Sequence, residues 1–322
     1  MKNISLLFFL KVVVINCYSQ PEPKQNFEDI LKEENLKSVK TMYFQSEDTT
    51  NSEGKLLFKK DFDRNGKLIK KYLFTFYDVV SYDNTIDYVY NDQGNVIEKT
   101  NIHRVLNLDK RDNEFIKIFG DDPMNEKSFF TYDQLNRLMK EVHYTFGNEK
   151  FDISQDPANS IKYEYDINGL LIKEIGTTPN GAIIYQNYIT NYEYDNNHRK
   201  IKKTKSFTSD PFEAVETTTY TYNSIGQLTE ERTKDTGMLQ NNEHLKYTYD
   251  ESGRIKETLS YSYDEKKWDV IKTVNYDENG HVVIESDDTS FDYYDNGLIK
   301  RELWKSDKSG QVVNFITTYE FY

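Results

Sequence analysis

The chain has 322 residues, 37% hydrophobic and 15% aromatic, with 26 Tyr, 19 Phe and 2 Trp. So little aliphatic content argues against an oily, many-layered α/β core, and so many rings argue against disorder. Lys plus Arg is 41 against 54 Asp plus Glu, a net charge of −13, which speaks against a partner recognised through its phosphate backbone or an anionic membrane surface.

In chain order, the first element is a leader. Met1, Lys2 and Asn3 give a short basic start, Ile4 to Ile15 is apolar apart from Lys11, and Cys17-Tyr18-Ser19 precedes Gln20. This predicts a signal peptide over 1–19, cleaved after Ser19, and an exported protein. The apolar run is too short to span a bilayer, and no other run approaches that length. Cys17 is the single cysteine, so the mature chain has no disulfides or thiol chemistry. Acylation of Cys17 is the alternative reading, disfavoured by the bulky Asn16 before it. Residues 20–55 lack the features that follow and read as a partly flexible N-terminal segment, with a short helix possible over Asn26 to Lys37.

From about residue 56 to 322 the chain repeats. The clearest unit is Tyr247-Thr248-Tyr249-Asp250-Glu251-Ser252-Gly253-Arg254-Ile255. Copies follow the same plan at Tyr88-Tyr90-Asn91-Gly94, Tyr163-Tyr165-Asp166-Gly169, Tyr220-Tyr222-Asn223-Gly226 and Val274-Tyr276-Asp277-Gly280, with weaker ones at Phe62-Asp63, Tyr132-Asp133 and Tyr194-Asp195. A shortened copy is Tyr294-Asp295-Asn296-Gly297, and most steps are ~27–29 residues. Alternation puts Tyr247 and Tyr249 on one strand face and Thr248 on the other. Asp250 opens a turn by accepting backbone N–H groups ahead of it, and Gly253 takes the last or left-handed position. Asp166 with Gly169, Asn223 with Gly226 and Asp277 with Gly280 take the same parts. Ile255, Leu259, Tyr261 and Tyr263 share a face of the returning strand. Each unit is therefore a hairpin, and Val312 to Tyr322 reads as a closing edge strand.

Nine hairpins make about 18 strands, more than the ~10 that an open twisted sheet usually holds before it curls or splits. The predicted fold is all-β: an elongated, coiled antiparallel meander whose Tyr-rich face turns inward. Tyr163, Tyr165, Tyr220, Tyr222, Tyr247 and Tyr249 form its aromatic core.

These motifs resemble the YD repeat of the Rhs-like family, over roughly Phe58 to Tyr322, and the leader is similar to those of secreted Bacteroidetes proteins. The resemblance implies a β-sheet shell; larger members enclose a C-terminal toxin and some bind carbohydrate. No cargo domain follows the last copy here. The Asp-Pro pairs, Asp122-Pro123, Asp156-Pro157 and Asp210-Pro211, sit in connections rather than in a self-cleavage motif. The expectation is a toxin-free exported repeat protein.

Chemistry is sparse. The serial acidic positions, Asp63 to Asp295, read as turn caps rather than as calcium ligands or a carboxylate pair. His103, His143, His198, His244 and His281 have no metal-ligand spacing. No nucleophile or phosphate-loop motif occurs, so no cofactor, metal, nucleic acid or catalytic residue is expected. Trp268 and Trp304 are the singular aromatics and the candidate ligand-binding residues, and the insertion Asn101 to Asp122 is a candidate binding loop. The functional expectation is a non-catalytic binding module for a glycan or a cell-surface protein. A structural envelope protein pairing through edge strands is the alternative; a glycan-active enzyme or a toxin shell comes behind.

Overall fold

The computed structural model describes residues 36–44, 54–76, 80–108, 125–147, 151–178, 187–208, 214–237, 242–285, 289–305 and 312–321. The leader, Cys17 and most of the 20–55 segment lie outside them. Twenty strands follow one another: β1 Leu36–Phe44, β2 Lys55–Phe62, β3 Leu68–Phe76, β4 Val80–Tyr90, β5 Val96–Leu108, β6 Asn125–Tyr132, β7 Leu138–Phe146, β8 Asn159–Tyr165, β9 Leu171–Thr177 and β10 Tyr188–Tyr194. The second half is β11 Lys200–Phe207, β12 Val215–Tyr222, β13 Leu228–Asp235, β14 Glu243–Tyr249, β15 Ile255–Ser262, β16 Lys267–Tyr276, β17 Val282–Glu285, β18 Thr289–Tyr293, β19 Ile299–Lys305 and β20 Val312–Phe321.

Each strand pairs antiparallel with the one before it and the one after it, and β20 pairs with β1, in register Val39↔Tyr319, Lys40↔Thr318 and Thr41↔Thr317. The sheet is a closed barrel. This corrects the expectation of an elongated open meander. An open meander would leave two edges of unpaired N–H and C=O groups, and closure removes both. The strand that closes it, β1, lies in the 20–55 segment and carries no turn signature, so a search for repeats passes over it. Val312 to Tyr322 is accordingly not an edge: β20 is flanked by β19 and β1.

One end of the barrel is built from nine near-identical turns. In the unit after β14, the Gly253 N–H donates to the Asp250 carbonyl and the Asp250 N–H to that of Arg254, at 3.0 and 2.8 Å. Gly253 has φ +80°, the left-handed conformation that suits glycine. Asn136 and His198 hold it at φ 68° and 62° in two sister turns. Asp250 Oδ1 accepts the N–H groups of Ser252 and Arg254, and Oδ2 accepts Arg254 Nε at 2.8 Å. These bonds and the Arg254 charge hold its carboxyl below the usual range.

Immediately past each turn the pairing slips by one residue, as between Thr248 and Tyr249 opposite Glu257 and Ile255. The same bulge recurs in all nine hairpins. A bulge takes a carbonyl out of the ladder, and that carbonyl needs a donor. A tyrosine hydroxyl of the next hairpin supplies it. Tyr249 donates to Leu228 O at 2.6 Å, Tyr222 to Lys200 O at 2.8 Å and Tyr276 to Ile255 O at 2.8 Å. Tyr90, Tyr132, Tyr165, Tyr194 and Tyr319 do the same to Leu68, Val96, Leu138, Leu171 and Ile299. The turn's last residue then covers the latching ring: Arg137, Arg199 and Arg254 lie 4.9, 4.7 and 4.2 Å from the centroids of Tyr165, Tyr222 and Tyr276.

The copy near residue 294 is shifted from its expected frame. Tyr294, not Asp295, opens the turn: its N–H donates to Leu298 O and its carbonyl accepts from Gly297. Tyr293 takes the preceding aromatic position, stacked on His281 at 4.7 Å.

The closing region is held differently. Leu36, Val39, Phe62 and Leu298, each under a tenth exposed, form an apolar cluster, with Phe58, Leu68 and Tyr319 against it. Phe62 stands where other hairpins carry the latching tyrosine.

Candidate functional site

Following the register around the ring assigns every strand residue to one of two faces. One carries Tyr163 and Tyr165, Tyr220 and Tyr222, Tyr247 and Tyr249, all half-buried, together with Thr190, Thr218, Thr258 and Val274, all buried. A cavity of about 760 Å³ is lined mostly by residues of this face, from Lys99 on β5 to Phe207 on β11. A surface that gathers seven consecutive strands around one cavity is the concave, inner one. Leu259 and Tyr261 share a face of β15, and that face is the outer one, opposite Lys246 and Trp268.

The cavity wall is built at β6 to β10. Ser128 on β6 faces His143 on β7, and its Oγ lies 2.8 Å from Nδ1. His143 Nε2 lies 3.1 Å from Glu141 Oε2. Tyr163 of β8 donates its hydroxyl to the other Glu141 oxygen at 2.7 Å. The bond to His143 is the main cause that keeps the Glu141 carboxyl low, and burial together with Glu141 raises the Tyr163 phenol. Ser–His–Glu in hydrogen-bond sequence has the outline of a nucleophile, base and orienting acid. Ser128 is only 6% exposed, however, and its strand is paired on both sides, so the backbone N–H groups beside it belong to the ladder. The network orders the wall.

Tyr188 on β10 supplies ring surface. Gly176 sits opposite it on β9, and a Cβ there would overlap the Tyr188 ring, so glycine lets the ring lie on the wall. Lys205 Nζ is 4.3 Å from the ring centroid. Phe130, Phe207, Asn159 and Lys99 complete the part of the lining that offers ring faces, amide and charge. Deeper along the same face, Tyr192 and Tyr247 donate to Glu174 and Glu231, and burial raises Tyr220 and Tyr247 to about 12.

Trp268 lies on the outer face. Lys246 Nζ is 4.2 Å from its ring, and His244 and Tyr261 pack 4.7 and 5.3 Å away, so the indole is engaged within the chain. Trp304 is on the inner face of β19, far around the ring from the cavity, opposite Thr289 and Val313. The structure does not bring the two tryptophans together. Of the insertion Asn101 to Asp122, residues 101–108 continue β5 and residues 109–122 lie outside the described residues. The sequence reading did not single out Ser128, Phe130, Glu141 or Tyr188. Only the bulge count and the ring register place them together, and neither is visible in a single hairpin. Gly176, a glycine outside any turn signature, was the one available signal.

The outer face is charged along its length. Lys59–Asp61, Lys70–Asp87, Lys127–Glu98, Lys202–Glu193, Lys246–Glu230 and Arg301–Asp292 are ion pairs of 2.7 to 3.2 Å on six parts of it. A barrel in a bilayer needs an apolar outer band ~25 Å tall, and Lys or Arg at its midplane costs roughly 2–4 kcal/mol each. This surface has no such band among the described strands. Among the described residues no helix is long and apolar enough to cross a membrane, and no cluster of metal-ligating side chains occurs.

No family model matches the chain, so membership of the YD-repeat family is not established, and no curated protein matches. Among solved structures, a porin-like protein from Bacteroides uniformis aligns over 88% of this chain and 96% of its own, at 8% identity and a TM-score of 0.40. The Tc holotoxin pore of Photorhabdus luminescens aligns over 79% of this chain and 17% of its own, at 13% identity and 0.29. A TcdB2-TccC3 chain lacking its hypervariable C-terminal region gives 86% and 20%, at 11% and 0.31. This chain thus spans about a fifth of the toxin chains. Likeness this weak fixes neither a membrane location nor an activity.

Proposed function

We propose that the protein is an exported, non-catalytic β-barrel that works in an aqueous compartment and binds a glycan or a cell-surface glycoprotein against its inner wall. The observation that carries this reading is the cavity between β5 and β11. Ring faces from Tyr188, Phe130 and Phe207 stand there beside amide, hydroxyl and charged groups. Such a mixture suits a ligand with apolar C–H faces and many hydroxyls. Mid-strand charge on the outer face supports water rather than lipid outside. Assembly through edge strands loses its basis, because every described strand has a neighbour on both sides.

A broad glycan array probed with the Gln20–Tyr322 protein tests the reading. Selective binding that is lost in Tyr188→Ala and kept in the outer-face variant Trp268→Ala is expected. A blank array with folded protein would overturn it.

A further inference from the structure

Two amide oxygens on the inner wall are buried without a hydrogen-bond partner: Asn84 Oδ1 on β4 and Asn101 Oδ1 on β5. They are near neighbours, because Asn101 pairs with Ile86, two residues from Asn84 on the same face. Across the next strand pair, Asn101 faces Glu126, which lines the cavity. The orientation of the Asn101 amide is dictated by its surroundings. Its Nδ2 donates to Glu126 Oε2 at 3.2 Å and lies 2.9 Å from His103 Nε2. A flipped amide would set oxygen against the carboxylate, so Oδ1 must take the unpartnered side. Burial lowers the pKa of His103 and so favours the neutral ring, whose Nε2 accepts from that amide in the Nδ1–H tautomer.

A buried acceptor without a donor costs stability, and two neighbouring orphans on the inner wall, one of them bonded to the cavity-lining Glu126, mark a place where a ligand's donors belong. We infer that Asn84, Asn101 and Glu126 form a subsite for adjacent hydroxyl groups of a saccharide, with the rings of the neighbouring cavity receiving its apolar face. The subsite deepens the binding reading given above and rests on it. A neutral hydroxyl donor fits better than a metal cation: Lys99 lines the same wall, and an N–H of the Asn101 amide already points at Glu126, the one carboxylate of the three residues.

The test uses Asn84→Leu and Asn101→Leu in the Gln20–Tyr322 protein, close in size but without the orphan oxygen. Affinity is measured by calorimetry against gluco-, xylo- and manno-oligosaccharides, and melting temperature is measured without ligand. Affinity about tenfold weaker or worse, with a melting temperature unchanged or raised, is expected, because the substitutions remove unmet acceptors. Undiminished affinity for the sugar that the wild type binds would overturn the subsite alone, leaving cavity binding in place. A lowered melting temperature with intact affinity would make the amides structural and overturn it equally. Calcium-dependent stabilisation of the wild type, lost in both variants, would replace the hydroxyl subsite with a cation site. No saccharide bound by the wild type would overturn the binding reading itself.

Discussion

The barrel is held by two different kinds of chemistry in two places. In the hairpins from β4 to β16, neighbouring units are joined by tyrosine hydroxyls on bulge carbonyls and by Asp and Arg at the turns, and the tyrosine rings stay half-buried. At the closing region of β19, β20, β1 and β2, Leu36, Val39, Phe62 and Leu298 are packed out of water. A repeat can specify contacts between like units, since each tyrosine finds the same carbonyl in the unit before it. The two ends of the chain are unlike, so the contact between them is met by apolar burial, which needs no matched donor and acceptor.

The largest expected effect separates the two regions by pH. Burial raises the inner-face phenols above their unfolded value of about 10, with Tyr220, Tyr247 and Tyr293 at about 12. A raised acid favours its protonated form in the folded state. That stabilisation is complete below about pH 10 and is lost as pH climbs through the folded values. Cooperative unfolding on an alkaline titration, followed by circular dichroism and phenolate absorbance together, is expected. Phenolate formation near pH 10 without loss of structure would break the comparison. The turn aspartates act in the opposite sense. Asp133, Asp195 and Asp250 are depressed, so their contribution is present above about pH 4 and fades as pH falls through the folded values.

Next comes Phe62→Ala, which empties the closing cluster and should cost about 3–5 kcal/mol in denaturant unfolding. A loss below about 1 kcal/mol would mean that closure does not depend on this packing. Gly253→Ala puts a side chain at φ +80° with its Cβ 3.0 Å from Gln227 Nε2, and about 1–2 kcal/mol is expected. Smaller again is Tyr222→Phe, which removes one latch for about 0.5–1.5 kcal/mol. If it cost nothing, the hydroxyl would be decoration and the ring alone would count. Lys202→Ala, on a solvent-exposed outer pair with Glu193, should change stability by no more than about 0.5 kcal/mol.

Local chemistry is what the sequence displayed. Asp250 with Gly253 is a turn whatever surrounds it, and so are Asp166 with Gly169, Asn223 with Gly226 and Asp277 with Gly280. All-β architecture and the pairing of each aromatic with its turn were legible for the same reason. The face of Leu259 and Tyr261 was not, because the bulge after the turn shifts the parity of the returning strand. The frame at Tyr294 is ambiguous in the sequence because two adjacent tyrosines, Tyr293 and Tyr294, stand where the turn begins. Closure was invisible because β1 resembles no repeat and its partner lies at the other end of the chain. The cavity residues follow from that ring register, so Ser128, Glu141 and Tyr188 could not be grouped beforehand, while the conspicuous Trp268 proved to be covered by Lys246.

The measurement that bears most directly on the closed barrel is a cross-link between its first and last strands. Lys40 and Thr318 are cross-strand partners on β1 and β20. In the Gln20–Tyr322 protein, which lacks Cys17, Lys40→Cys/Thr318→Cys should oxidise to a monomer with one internal disulfide, found by peptide mapping and by faster migration without reductant. Free thiols, or disulfide-linked dimers alone, would contradict closure.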